Sequence, residues 1–208
     1  MTDKKALVIF CKTPEKGFVK TRLAASVGNQ KALETYLDLL KITDEQTRIF
    51  SFSRHLFLVS ALEDSIEKMQ STLREQDLFT DPKTNFAIQQ GEDLGQRMSA
   101  AFETLFQNHR SVVLIGCDLP DLTSALISRA FDTLQSNDLV IGPSYDGGYY
   151  LIGLNKNTPE LFEEISWSTE KVLKQTLERA ERLSLKVQLL GQLRDIDTLE
   201  DLYLTKLK

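Results

Sequence analysis

Four cationic residues, Lys12, Lys16, Lys20 and Arg22, fall within eleven positions of a chain whose formal net charge is −5. They sit in Lys12-Thr-Pro-Glu-Lys-Gly-Phe-Val-Lys-Thr-Arg-Leu23, where Pro14 stiffens the loop, Gly17 permits close backbone approach and Thr21 adds a hydroxyl. A diphosphate is the natural occupant, because a guanidinium such as that of Arg22 grips phosphate oxygens with two parallel bonds. A helix starting near Lys20 would aim its free N–H groups at the same place. Two residues separate Gly17 from Lys20-Thr21, so the segment is not a Gly-Lys-Ser/Thr phosphate loop.

The second candidate is Gly116-Cys-Asp-Leu-Pro-Asp121. An aspartate at the end of a buried strand suits a hard cation, Mg²⁺ or Mn²⁺, so Asp118 is read as a metal ligand with a catalytic role, bridging the cation to phosphate oxygens. Asp121 reads as a cap for the following helix. The third is Gly142-Pro-Ser-Tyr-Asp-Gly-Gly-Tyr-Tyr-Leu-Ile-Gly153. Its Asp-Gly is also a hairpin signal. Read chemically, Gly147 and Gly148 let a ligand lie on the backbone, and Tyr149 or Tyr150 stacks on a sugar or base. Asp146 holds sugar hydroxyls or acts as a base. In Gly91-Glu-Asp-Leu-Gly-Gln-Arg97, Gly95 admits a ligand and Arg97 reaches a phosphate or base, with Asp93 as the alternative, a helix cap. In Asp195-Ile-Asp-Thr-Leu-Glu-Asp-Leu202, Thr198 and Asp201 form a capping-box pattern, which leaves Asp195 or Asp197 as a second carboxylate for a metal. Trp167 is the single tryptophan and a candidate substrate wall, with Ser168 or Thr169 capping the next helix.

Short apolar runs alternate with longer amphipathic ones, and these must place the candidates. Strands are predicted over 5–11, 55–61, 85–89, 111–116, 138–141, 149–154 and 186–190, where runs are brief and rich in β-branched residues. Helices are predicted over 30–50 (broken near Thr43-Asp44), 65–76, 94–106, 124–134, 172–183 and 198–207. Such alternation implies a three-layer αβα domain, a mostly parallel sheet covered on both faces, spanning 1–208 without a linker or repeat. In such sheets ligands gather at the carboxyl ends of strands, and most of the candidates follow strands.

The chain has 208 residues, 41% hydrophobic and 26% charged, which is the profile of a globular protein able to fold without a metal or disulfide. The acidic balance argues against nucleic acid as a partner. No apolar run approaches the ~20 residues of a membrane span, and the N-terminus lacks a signal-peptide core, so a cytoplasmic location is expected. Cys11 and Cys117 have no metal or redox spacing and read as buried thiols. His55 and His109 are far apart in sequence, which does not support a zinc site or a Ser-His-Asp hydrolase.

Six blocks, FCKTPEKGFVKTRL (10–23), EDLGQRM (92–98), LIGCDLPDL (114–122), GPSYDGGYYLIGL (142–154), WST (167–169) and DIDTLEDL (195–202), together resemble the DUF2064 family, also described as selenodomain-associated transferase 1. The resemblance covers nearly the whole chain in order. It implies a Rossmann-like GT-A, or nucleotide-diphospho-sugar transferase, fold, with nucleotide phosphates on Lys12, Gly17, Lys20 and Arg22 and the metal on Asp118. It implies a metal-dependent glycosyltransferase that takes a nucleotide-sugar donor and a small-molecule acceptor. Nucleotidyl transfer from a nucleoside triphosphate with release of pyrophosphate is the second reading, and a non-catalytic nucleotide-binding module the third. This chain has no Asp-x-Asp pair at 118; Asp118 and Asp121 are three apart.

Overall fold

In the first strand, Leu7, Ile9 and Cys11 alternate with Ala6, Val8 and Phe10, and both sets are buried. A strand apolar on both faces must be covered on both faces. The computed structural model describes residues 5–205; the end of the predicted 198–207 helix and the first four residues lie outside the described residues. The strands are β1 (Lys5–Lys12), β2 (Ser53–Val59), β3 (Thr84–Ile88), β4 (Ser111–Ile115), β5 (Leu139–Pro143), β6 (Tyr149–Leu154) and β7 (Val187–Leu189). The helices are α1 (Thr21–Val27), α2 (Asn29–Thr47), α3 (Ile66–Arg74), α4 (Leu94–Phe106), α5 (Ser124–Thr133), α6 (Val172–Arg182) and α7 (Leu199–Leu204). A 3₁₀ turn spans Pro159–Phe162.

The strands form one sheet in the order β3-β2-β1-β4-β6-β5-β7. All pairings are parallel except those of β6, which runs antiparallel to both β4 and β5. One face packs on α2, α3 and α5 through residues such as Tyr36, Leu40, Met69 and Phe131. The other packs on α4, the 3₁₀ turn and α6 through Met98, Phe102, Phe162 and Ala180. A smaller cluster of Leu23, Ala32, Leu39 and Ile196 joins α1, α2 and the segment before α7.

Several local expectations change. The helix expected to break near Thr43-Asp44 is continuous: the Thr43 and Thr47 hydroxyls donate to carbonyls four residues back, and Asp44 is paired with Arg54 at 2.7 Å. Tertiary pairing thus outweighs the local preference of these residues for turns. Thr123, not Asp121, caps α5, because its hydroxyl is the one placed to accept from the Leu126 N–H. Helix α6 starts at Val172 without a side-chain cap, since the Thr169 hydroxyl donates to the Ser166 carbonyl instead. Asp93 caps α4, and Thr198 with Asp201 forms the capping box.

The chain runs outward from β1 through β2 to β3, then returns to place β4 on the other side of β1. At this reversal the loops after β1 and β4 leave in opposite directions and open a crevice beyond their carboxyl ends.

Candidate functional site

The two loops are tied together by Tyr36 of α2. Its hydroxyl accepts from the Lys12 N–H at 2.9 Å and donates to the Lys12 carbonyl at 2.9 Å. It also stands 3.2 Å from the Cys117 sulfur, the residue before Asp118. Burial raises the Tyr36 phenol, and the neighbouring thiols add to the effect. Both cysteines are buried and free, as their apolar flanks led one to expect.

Lys20 turns from the first loop into α1 in the left-handed conformation, φ 48°. Its flanks Val19 and Leu23 are fully buried, which fixes that backbone against its steric preference. The ammonium lies 2.5 Å from Asp118 and 3.1 Å from Asp197, and the Lys20 side chain is 3% exposed. Burial alone would lower its pKa, but the Asp118 and Asp197 carboxylates outweigh this and hold it above the ordinary lysine value. Arg22 reaches the other oxygen of Asp197 at 3.5 Å. Asp197 is delivered by Ile196, whose side chain is buried under α1 and α2 and whose N–H donates to the Asp118 carbonyl at 3.0 Å.

Asp195, on the other side of Ile196, is half-buried and pushed up to about 6, first by burial, then by the charges of Asp146, Asp197 and Asp118. Asp146 closes its own turn: one oxygen accepts from the Ser144 hydroxyl and from the Gly148 N–H. Its other oxygen makes no hydrogen bond among the described residues.

A cavity of about 520 Å³ opens here, lined among others by Lys12, Lys20, Thr21 and Arg22 from the first loop and α1. Arg97, Asp118, Tyr149 and Asp197 complete the charged and aromatic part of its wall. With Tyr150, the structure therefore brings nine of the sequence candidates into one cavity, whereas Asp146, Gly148 and Asp195 are not part of its wall. Pro14 is buried beneath its loop and Gly17 is exposed outside the cavity with φ +85°. Gly95 and Gly147 fill packing roles: a Cβ on Gly95 would meet the Trp167 indole at 2.4 Å, and one on Gly147 would meet the Glu170 carbonyl at 2.3 Å. Trp167 is thus wedged against α4, and Ser168 after it, with φ 62°, lines the cavity.

Sequence reasoning missed Tyr36 and Gln89. Gln89 follows β3 and bonds the carbonyls of Cys11 and Phe57, bracing the cavity wall across β1 and β2. Its place at the carboxyl end of the predicted 85–89 strand was the available signal. Tyr36 carried none, since it sits at an ordinary core position of a helix.

Asp118 and Asp197 line the cavity with four cations, Lys12, Lys20, Arg22 and Arg97, and Asp146 and Asp195 stand close enough for their charges to act on one another and on this pair. Among the described residues no three carboxylate, imidazole or thiol groups converge as a ligand set. Asp118 and Asp197, already bridged by one ammonium, are the pair able to share an ion, with the remaining positions left to substrate and water as Mg²⁺ prefers.

No curated protein matches the chain. The crystal structure described as "putative nucleotide-diphospho-sugar transferase from Desulfovibrio desulfuricans G20" is 37% identical, with 97% of this chain and 85% of that one covered and a TM-score of 0.87. The inositol-1-phosphate CTP transferase of T. maritima is 14% identical over 96% of this chain and 91% of that one, TM-score 0.60. The manganese complex of Rv0371C from Mycobacterium tuberculosis H37Rv is 15% identical over 96% of each chain, TM-score 0.57. The last two show the fold alone, and the fold is that of the nucleotide-diphospho-sugar transferases and their relatives. Among the described residues no helix is long and apolar enough to cross a membrane. The family model described as "Uncharacterized protein conserved in bacteria (DUF2064)" matches residues 45–169, more than half of the sequence, and the chain belongs to that family.

Proposed function

We propose that this protein is a metal-dependent transferase that moves a sugar from a nucleotide-diphosphate donor to a small-molecule acceptor. The observation that carries the reading is the Lys20–Asp118–Asp197 contact, with Arg22, Lys12 and Arg97 around the same cavity. The single sheet with a core on each face supports reading 1–208 as one such domain. Two buried cysteines not joined by a disulfide and a nucleotide donor suit the cytoplasm.

Lys12, Lys20 and Arg22 bind the diphosphate and stabilise the charge that grows on it as the sugar–phosphate bond breaks. Mg²⁺ or Mn²⁺ on Asp118 and Asp197 would act as a Lewis acid on the departing diphosphate. Tyr149 forms a flat wall for the sugar or base, and Arg97, anchored by its Nε to the Gly91 carbonyl at 3.0 Å, keeps its remaining N–H groups for the donor. Asp146, through its free oxygen, orients sugar hydroxyls or takes the proton of the attacking acceptor oxygen. The new bond joins that oxygen to the sugar carbon, and nucleoside diphosphate leaves.

Nucleotidyl transfer uses the same cations, with a phosphorylated acceptor attacking the α-phosphorus and pyrophosphate leaving. The likeness to the CTP transferase fold favours keeping this second reading. The test is thermal unfolding with nucleotides and nucleotide-sugars, each with and without Mg²⁺ or Mn²⁺. The matching donor stabilises by about 2.7 kcal/mol at a hundredfold excess over Kd, only with the cation. Turnover then separates the readings by product, nucleoside diphosphate or pyrophosphate. Stabilisation that survives chelator and an Asp118→Asn change points to a non-catalytic binding module and overturns the proposal.

A further inference from the structure

Lys20 occupies the place that the proposed chemistry needs open. A cation bound to Asp118 and Asp197 at the ~2.0–2.1 Å of Mg²⁺–oxygen bonds would lie where the ammonium lies, 2.5 and 3.1 Å from the same two oxygens. The two positive charges cannot share that volume. The ammonium gives two of its three hydrogens to these carboxylates, which leaves a diphosphate one at most while they hold it. Asp118 and Asp197 are 44% and 37% exposed, so the cavity reaches them readily, whereas the Lys20 side chain in the same wall is 3% exposed.

We infer that Lys20 is an internal competitor for the cation. In the free protein it neutralises Asp118 and Asp197. When cation and donor arrive together, it gives up the carboxylates and swings onto the phosphates. The exchange is a rotation of the lysine stem, because Val19 and Leu23 hold the backbone on both sides. Its consequence is that a divalent ion alone binds weakly, and binds well only with a diphosphate able to receive the displaced ammonium. The inference rests on the proposed reading of the site, and gives Lys20, a phosphate-binding residue in that reading, the further role of setting the order of loading.

The test is Mn²⁺ binding, followed by the loss of the free-ion electron paramagnetic signal, with and without inorganic pyrophosphate and corrected for the complex these form in solution. Lys20→Met removes the charge and keeps the stem; Lys20→Gln keeps a donor for the carboxylates should the methionine variant fail to fold. Either variant is expected to bind Mn²⁺ alone at least about tenfold more tightly than the unaltered protein, a coupling of ordinary size between linked sites. Adding Asp118→Asn abolishes the gain. In the unaltered protein, the Lys20 Nζ nitrogen resonance stays put with Mg²⁺ alone and moves with Mg²⁺ and pyrophosphate together. Equal Mn²⁺ affinity in all three proteins, or an Nζ signal that ignores the combined ligands, overturns the exchange while pyrophosphate binding leaves the function standing. Failure of the unaltered protein to bind pyrophosphate with either ion overturns both.

Discussion

Replacing Asp118 with Asn changes one oxygen to nitrogen at the centre of the site. Its partner, the Lys20 ammonium, is 2.5 Å away, with Asp197 at 3.1 Å. At an effective dielectric constant of 20 the gross attractions are about 7 and about 5 kcal/mol, so Asp197 alone retains nearly half of the total. Two effects shrink the net loss further. Asp118 is nearly half exposed, and its charge repels Asp195. The expected loss of stability is therefore about 1–2 kcal/mol, well short of the ~3–5 kcal/mol of an orphaned buried charge. For a chain of this size that is a fall of roughly 2–8 °C in Tm. Relieved of one neighbour, Asp195 should ionise below its present value of about 6, a change that carboxyl carbon NMR reads directly. Turnover, measured as nucleoside diphosphate or pyrophosphate released from the donor found by thermal unfolding, should fall ~10²–10³-fold, the usual effect of removing one preorganised electrostatic group. A folded Asp118→Asn protein that keeps more than a tenth of the turnover refutes the charge argument; a collapse of stability refutes the claim that Asp197 shares the lysine.

Two further outcomes follow from other parts of the fold. Gly95→Ala places a methyl 2.4–2.5 Å from the Trp167 indole, so the ring must shift, costing about 1–3 kcal/mol in urea unfolding. Because Trp167 is the single tryptophan, its emission should move to the red, and donor affinity should weaken as Ser168 is dragged from the wall; unchanged emission would show that the indole is not seated there. At the far end of β2, burial and then the nearby His109 lower His55 from 6.5 to about 4. The unfolded chain then takes up this proton first, so stability is lost as pH falls from about 6.5 to about 4 and levels off below. The full shift is worth about 3 kcal/mol at 1.36 kcal/mol per pH unit, and partial exposure reduces it to ~1–2 kcal/mol. His55→Phe should flatten that part of the stability curve, and an unchanged slope would refute the assignment.

The histidines also show where linear reading stops. His55 and His109 are 54 positions apart, yet their rings stand edge to face at 5.6 Å, because the start of β2 and the link from α4 to β4 meet at the end of the sheet away from the site. The glycines of the 91–97 and 142–153 segments were legible as special positions but not as to why. Whether a missing side chain makes room for a ligand or for another part of the protein depends on what packs there, and at Gly95 and Gly147 it is protein.

What the amino-acid order determined alone was local. Period-two and period-3.6 apolar patterns set strand and helix, the Asp93 and Thr198 caps followed from side chains bonding their own backbone, and alternation implied a sheet covered on both faces. The two charged loops were visible because residue type and position after a strand are properties of the sequence. The Asp-Gly hairpin signal and the short link already implied that β5 and β6 run antiparallel. The tertiary structure alone decided that β6 inserts between β5 and β4 and so runs against β4 as well. It alone set Asp197 against Lys20, 177 positions away, and left one ammonium shared by two carboxylates. Partnership between charges is a matter of distance and burial, and neither exists until buried side chains such as Leu23 and Ile196 bring the segments together.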